Sequence, residues 1–194
     1  MNLKSLALIF CLAIGTVPLP AQGVDFFDQG APANSSQGAR IGIQGLLVSP
    51  QGDLRQAVNG RIGFQAGANW CVELGGTNEL RPRLDYTRLD GGAFHPSSLT
   101  STTTVEGVSL GADALWFFAE NHRGPYAVTG ANLTWWETHY QFDGNDRRTS
   151  PGLIAGIGHR FNARRALELD LDLGQFRPSY GTDSSIKGGV FYTF

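Results

Sequence analysis

Apolar and polar residues alternate with a period of two along most of this chain. The last such run places Ile186, Gly188, Val190, Tyr192 and Phe194 on one face, and Phe194 is the final residue. A two-residue period puts successive side chains on opposite faces of a β-strand, so the pattern predicts an all-β chain. Eight runs of this kind cover residues 39–49, 60–74, 79–90, 102–118, 125–140, 151–162, 165–177 and 184–194. Elsewhere, only residues 53–58 favour a short turn of helix.

The connections between the eight runs alternate in length. Three are short (75–78, 119–124 and 162–164), and four are longer (50–59, 91–101, 143–150 and 178–183). Short turns at one end and longer loops at the other are typical of transmembrane barrels, whose short turns are periplasmic. We therefore predict an eight-stranded antiparallel up-and-down transmembrane β-barrel over residues 39–194, with short periplasmic turns and longer extracellular loops.

Alternation alone does not say which face is outside, because a soluble lipocalin-type barrel alternates with its apolar face inward. The charges decide the choice, since buried charges must be paired to be tolerated. A polar lumen would enclose six cations and six anions: Arg40, Arg61, Arg81, Arg83, Arg160 and Lys187 against Glu73, Asp85, Asp113, Glu168, Asp170 and Asp172. We interpret this set as a static ion-pair network, in preference to a cation pathway.

Aromatic residues cluster toward the two predicted rims, as lipid interfaces select. One group falls toward the short turns (Trp116, Phe118, Tyr126, Phe161, Tyr192 and Phe194), and the other toward the long loops (Tyr86, Trp135, Trp136, Tyr140 and Phe176). The fifth run stays open, because either Tyr126, Val128 and Gly130 or Ala127, Thr129, Ala131 and Leu133 could face lipid.

The N-terminus has the features of a secretory signal peptide. Lys4 precedes an apolar run at 6–14, and Ala21-Gln22-Gly23 offers small residues for cleavage after Gly23. Residues 24–38 are rich in Gly, Pro, Ser and Asn and predict a flexible lead-in. Cleavage would remove Lys4 and Cys11, change the net charge from −2 to −3, and leave Cys71 as the only cysteine.

In strand pattern, loop alternation and terminal phenylalanine, residues 39–194 resemble the small eight-stranded outer-membrane barrels of the OmpA transmembrane-domain, OmpX and OmpW type. The resemblance implies a monomer in the bacterial outer membrane, with outer-membrane lipids and lipopolysaccharide as partners. It also implies that Ile186, Gly188, Val190, Tyr192 and Phe194 form the signal read by the barrel-assembly machinery.

Little in the sequence indicates catalysis. Some small barrels of this kind are lipid A deacylases or acyltransferases, but His95 and Ser97 are separated by a proline in a loop, and Arg160 and Phe161 follow His159. Four dispersed histidines and one retained cysteine show no metal-ligand spacing, and Asp143, Asn145 and Asp146 fit a turn. We expect no catalytic, cofactor or metal site, and no nucleic-acid partner, because no Lys/Arg block is present.

The sequence therefore predicts a non-enzymatic integral outer-membrane barrel with an envelope-structural or surface-interaction role. The alternative is an OmpW-like conduit for small hydrophobic molecules, for which Leu46, Val48 and Leu115 would supply an apolar upper lumen. A lipid A-modifying enzyme is the third and least favoured hypothesis.

Overall fold

A closed antiparallel barrel is the architecture of this chain, in a computed structural model that describes residues 40–91, 103–140, 144–177 and 181–194. Its strands are β1 (Arg40–Pro50), β2 (Gly63–Gly75), β3 (Asn78–Asp90), β4 (Thr103–Phe117), β5 (Gly124–Tyr140), β6 (Gly144–Arg160), β7 (Arg165–Arg177) and β8 (Gly181–Thr193). Each strand pairs with the next, and β1 also pairs with β8. The predicted eight-stranded up-and-down barrel is confirmed.

The two faces of the barrel differ sharply in polarity. Large apolar side chains point outward and are exposed, among them Ile43, Leu47, Leu110, Leu153, Ile157, Leu169 and Val190. Charged and amide side chains point inward and are buried, among them Asn69, Arg81, Arg83, Asp85, Asp113, Glu168 and Asp170. Such an inverted distribution requires an apolar surrounding, because exposed apolar area is unfavourable in water.

The short connections lie where the alternation predicted them, at residues 76–77, 118–123 and 161–164. The loop predicted at 143–150 is wrong for most of its length, because β6 begins at Gly144 and pairs with β5 from there. Polar residues occupy both faces of this part of β6, so no alternation marks it as a strand. The predicted leader, lead-in and first strand residue (1–39) lie outside the described residues.

The connection between β1 and β2 contains the short helix α1 (Gly52–Ala57), close to the predicted turn of helix at 53–58. Leu54 of α1 and the following Val58 are buried against Val48, Leu89 and Val105, which point inward at the long-connection end of the barrel. This apolar cluster covers part of that end of the lumen. Among the described residues, no helix is both long and apolar enough to cross a membrane.

Phe194 extends the seam between the first and last strands. Its backbone N–H donates to the carbonyl of Ile41 at 2.9 Å, one residue beyond the end of β8. Its ring packs edge-on against Tyr192, with 5.1 Å between ring centroids. The alternate residues Ile186, Gly188, Val190 and Tyr192 share the outward face with it.

Candidate functional site in the barrel lumen

Arg81 is the centre of the buried polar network. From β3 its guanidinium donates to Asp113 of β4 at 2.7 and 3.1 Å, and to both carboxylate oxygens of Glu168 of β7 at 2.6 and 2.8 Å. The Tyr126 hydroxyl also donates to Glu168, at 2.9 Å, and the ring of Phe191 lies 4.2 Å from the guanidinium carbon. These contacts join five strands across the lumen (β3, β4, β5, β7 and β8), and the side chains at this level occupy its centre.

Arg83 forms the next layer toward the long-connection end. Its Nε lies 3.3 Å from a carboxylate oxygen of Asp113 and 3.5 Å from one of Asp85. Asp85 also accepts a hydrogen bond from Gln44, whose own amide oxygen accepts one from Asn69. The residues of this layer are buried, so water contributes little to their solvation and the ion pairs must do so.

Above Arg83, the two remaining acids of the predicted ladder behave differently. Asp172 accepts hydrogen bonds from Lys187 at 2.6 Å and from Asn132 at 3.1 Å. Asp170 lies directly opposite Lys187 in the β7–β8 register, yet its buried oxygens accept no hydrogen bond from a described donor. Lys187 therefore forms its ion pair with Asp172 and not with Asp170.

At the short-turn end, Glu79 collects most of the contacts. It accepts two hydrogen bonds from Arg160, at 2.7 and 2.8 Å, and one from Arg40 at 2.7 Å. His122 Nδ1 lies 3.1 Å from the same carboxylate, while its Nε2 lies 2.7 Å from the carbonyl of Gly76. Glu73 lies close to both residues: one potential ligand atom from each of Glu73, Glu79 and His122 lies within 4.8 Å of the others. Because two arginines already occupy the oxygens of Glu79, an ion-pair cluster describes this group better than a metal site.

The structure places all nine residues of the predicted charge network inside the barrel, but the predicted balance of six and six is wrong. Arg61 precedes β2 and is exposed, whereas Glu79, which the sequence reasoning missed, points inward and is buried. Among the described residues at the levels where all neighbouring strands are paired, the inward charges are five cations (Arg40, Arg81, Arg83, Arg160 and Lys187) and seven anions (Glu73, Glu79, Asp85, Asp113, Glu168, Asp170 and Asp172). Asp146 and Arg148 lie on the same face of β6, beyond the end of its pairing with β7. The signal for Glu79 was available, since it lies two residues before Arg81 on the same face.

Glycines on neighbouring strands make room for these polar side chains. A Cβ at Gly67 would overlap Asp85, one at Gly130 would overlap Asp113, and one at Gly156 would overlap Asp170. Gly42 stands in the same relation to Asn69, and Gly158 to the ring of Tyr126. The lumen is therefore filled by pairs in which one large polar or aromatic residue lies over one glycine of the adjacent strand.

A cavity lies beneath α1 at the long-connection end, and we call it the vestibule; the apolar side chains of Val48, Leu54 and Pro151 form part of its lining. Six hydroxyl-bearing residues line it (Thr87, Ser109, Thr134, Ser150, Ser184 and Ser185), together with Asn132, Trp136 and the Lys187–Asp172 pair. The volume of the vestibule is about 460 Å³ when the part open to solvent is included. The centres of water molecules can occupy about 30 Å³ of space in it. That is room for roughly two water molecules.

The outward aromatics form the two expected belts, with two corrections. Tyr126 and Trp136 both point inward, because the outward residues of β5 are Ala127, Thr129, Ala131, Leu133 and Trp135. This settles the open register of the fifth run. Trp116, Phe118, Phe161 and Phe194 are exposed at the short-turn end, whereas the predicted side chains of Tyr140 and Phe176 are not among those described.

Above the belt that contains Tyr86 and Trp135, the outer surface becomes charged. Glu106 and Glu137 stand directly opposite each other on β4 and β5 and point outward. Arg88 contacts Glu106 at 3.2 Å, and Arg147 contacts Glu137 at 3.1 Å, so each acid has its own cation. The sequence reasoning missed this row, which marks where the strands leave an apolar layer.

The candidate catalytic histidines do not form a nucleophile–base pair within the described residues. His159 points outward and contacts the ring of Phe161 at 4.8 Å, and His139 Nδ1 lies 3.0 Å from the side-chain oxygen of Asn145. His95 and Ser97 lie outside the described residues. The part of the chain that the structure describes therefore offers no support for an acyl-transfer or hydrolytic site.

Comparison with solved structures agrees with this architecture. The crystal structure of Neisserial surface protein A matches with a TM-score of 0.53 and 16% identity, covering 80% of this chain and 97% of that one. This chain has the fold of the small eight-stranded outer-membrane β-barrels. Ail of Yersinia pestis (TM-score 0.48, 14% identity, 80% and 97% coverage) and the N-terminal barrel domain of Pseudomonas aeruginosa OprF (0.47, 15%, 81% and 100%) also match. No protein-family model matches the chain, and no curated protein does.

Proposed function

We propose that this protein is a non-enzymatic integral protein of the bacterial outer membrane whose barrel is a closed structural unit that presents its long connections at the cell surface. The observation that carries the proposal is the combination of an apolar exterior with a lumen closed by the Arg81–Asp113–Glu168 network. An eight-stranded barrel is just wide enough for its interior to be filled by side chains. The short turns then lie on the periplasmic side and the charged row of Glu106 and Glu137 on the outer side.

The leader and the assembly signal are parts of the same proposal. Residues 1–23 direct export and are removed after Gly23, and the outward face ending in Phe194 is read by the barrel-assembly machinery. Outer-membrane lipids and lipopolysaccharide surround the exposed apolar band, and the protein is a monomer. A mature chain that begins at Val24 in mass spectrometry is the expected outcome, whereas an intact N-terminus on the membrane-inserted protein would contradict the leader.

Two measurements test the membrane part. Outer-membrane fractions should contain the protein as a band whose gel mobility changes on heating, because a folded barrel and its heat-denatured chain migrate differently. In planar bilayers the purified barrel should show no stepwise conductance, because ion pairs close its lumen. A soluble periplasmic pool would contradict the location, and reproducible channel events would contradict the closed lumen.

The conduit for small hydrophobic molecules receives no specific support from the geometry. Leu46 and Leu115 pack together with Phe117, Tyr126 and Val128 toward the short-turn end, and Val48 packs under α1. The cavity at the upper end has a mixed lining, in which six hydroxyl-bearing residues lie beside Val48, Leu54 and Pro151, and its space holds only about two water molecules. An unchanged lipid A mass profile on deletion of the gene is likewise expected, and a changed profile would favour the enzyme hypothesis.

A further inference from the structure

Two adjacent arginines, where the β6–β7 connection meets β7, have no acidic partner. Arg164 and Arg165 are exposed, and neither side chain forms an ion pair with a described carboxylate, the terminal carboxylate of Phe194 included. By contrast, seven described arginines are paired with acids, as Arg160 is with Glu79. The positive charge of Arg164 and Arg165 is therefore available to a ligand from outside the chain.

The three short connections of the barrel differ in charge. The connection at 161–164 contains Arg164 and no acid, and Arg165 follows it directly. The connection between β4 and β5 contains Glu120 as well as Arg123, and the connection between β2 and β3 contains no charged residue. Of the short connections, the one before β7 therefore carries the uncompensated positive charge.

Arg165 points toward the lipid-facing side of the barrel. It pairs with Tyr192 in the β7–β8 register, and it shares the outward face of β7 with Leu167, which is 47% exposed. On the β6 side, the backbone N–H of Phe161 donates to the carbonyl of Arg165 at 2.9 Å. The side chain of Arg165 therefore lies between the outward faces of β6 and β8.

Aromatic side chains flank this arginine on both neighbouring strands. The rings of His159 and Phe161 are 4.8 Å apart next to β6, and those of Tyr192 and Phe194 are 5.1 Å apart next to β8. Phe161 and Phe194 are more than half exposed. Outward aromatic residues at the rim of a membrane barrel occupy the level of the lipid head groups. Arg165 therefore lies at the depth of the phosphates in the leaflet around the short turns.

The charges of this surface select among lipid head groups. A guanidinium donates two parallel hydrogen bonds to phosphate oxygens, and cations near a membrane surface attract anionic lipids. A head group with an ammonium as well as a phosphate would place a third cation beside Arg164 and Arg165. A dissolved anion would have to reach an arginine whose neighbours Phe161 and Leu167 lie against lipid. The observations therefore favour a phospholipid whose head group has a net negative charge.

We propose that Arg165 and Arg164 bind the phosphate of an anionic phospholipid in the periplasmic leaflet, with Phe161 and Tyr192 against its glycerol backbone and upper acyl chains. The proposal rests on the membrane insertion and orientation proposed above, and it assigns one lipid class to one place on the barrel. Phosphatidylglycerol is the probe, because its head group carries only the charge of the phosphate.

Photo-crosslinking locates the bound lipid. The purified chain is refolded into phosphatidylcholine nanodiscs with a small fraction of phosphatidylglycerol that carries a diazirine in its head group, and labelled peptides are mapped by mass spectrometry. We expect labels concentrated at 159–167 and 190–194, reduced by unlabelled phosphatidylglycerol but not by the same amount of phosphatidylethanolamine. Label spread evenly around the short-turn end would overturn the proposal. Loss of label with an equal concentration of inorganic phosphate would also overturn it, because the ligand would then be a dissolved anion.

Matched variants make the result specific. Arg165→Gln should reduce labelling at 159–167 about tenfold, as expected for the loss of a charge-assisted contact with phosphate. Arg123→Gln removes the same charge from the neighbouring short turn, where Glu120 is present, and should leave this labelling unchanged. Equal losses in the two variants would show that diffuse surface charge attracts the lipid, which would contradict the assignment. Unchanged labelling of Arg165→Gln would contradict it as well.

A second variant keeps the test decisive if Arg165→Gln lacks heat-modifiable mobility. Arg164→Gln then takes its place, because it changes only an exposed side chain of the turn, and it should also reduce labelling at 159–167. A barrel that inserts but shows no preferred labelling beside β7 refutes the lipid site alone. A chain that does not insert refutes the proposed function.

Discussion

Arg81 and Glu168 face each other from β3 and β7 and share two hydrogen bonds across the lumen, at 2.6 and 2.8 Å. Both side chains are almost completely buried. Removing one member of such a pair leaves an uncompensated charge in a medium that solvates it poorly, and the typical cost is about 3–5 kcal/mol.

Arg81→Met should therefore lower the free energy of unfolding by about 3–5 kcal/mol, since Glu168 loses its cation and Asp113 keeps only Arg83. Urea unfolding of the refolded barrel in detergent micelles measures the loss. Arg148→Met is the control, because Arg148 and Asp146 form a partly exposed pair worth about 1 kcal/mol or less. Equal midpoints for the two variants would show that the lumen network contributes little to stability.

Gly156→Ala should destabilise the barrel by about 1–3 kcal/mol, because its Cβ would overlap the Asp170 carboxylate and approach the Leu169 carbonyl to 2.7 Å. Gly45→Ala provides the matched change, since Gly45 points outward from β1 and a Cβ there meets no atom within 4 Å. The same urea titration compares them, and Gly45→Ala should stay within about 0.5 kcal/mol of the parent. A neutral Gly156→Ala would mean that Asp170 can shift freely.

Trp135 and Trp136 are sequence neighbours with opposite environments. In vesicles that contain brominated lipids, Trp135→Phe should remove part of the fluorescence quenching, because the indole of Trp135 faces outward. Trp136→Phe should leave unchanged the amount of fluorescence that the brominated lipids quench, because Trp136 lies over Gly107 inside the barrel. The reverse outcome would invert the register of β5.

Deletion of Phe194 should reduce the amount of assembled barrel in the outer membrane several-fold, because it removes the proposed assembly signal together with the Phe194–Ile41 hydrogen bond. Loss of one hydrogen bond costs only about 1 kcal/mol, so refolding of the purified chain in detergent should remain efficient. Phe161→Ala, which removes another exposed aromatic ring at the short-turn end, serves as the control. Equal membrane levels of the two variants would argue against the signal.

The sequence predicted most of the strands because one face of each contacts lipid and the other a packed lumen. In β7 the leucines at 167–173 alternate with Glu168, Asp170 and Asp172. This alternation predicts both the strand and which of its faces points outward. The first half of β6 could not be found in this way, because it extends beyond the apolar layer and is polar on both faces. Its strand character comes from pairing with β5.

The details of the lumen were less accessible to sequence reasoning. Two adjacent tryptophans carry no information about which of them points inward, and the residues at 126–133 on β5 are weakly polar on both faces. The vestibule depends on how α1 and several strands meet, which is a property of these elements together. Composition and alternation describe one strand at a time, so this cavity could not be predicted.

The overlap between lumen acids and glycines links positions on neighbouring strands. Asp85 needs Gly67, Asp113 needs Gly130, and Asp170 needs Gly156, so an aspartate side chain at one site excludes a side chain at the other. Loss of the acid would open space that a larger residue at the glycine position could fill. We therefore expect these pairs to change together during divergence, so that the charge pattern of the lumen evolves in steps of two residues.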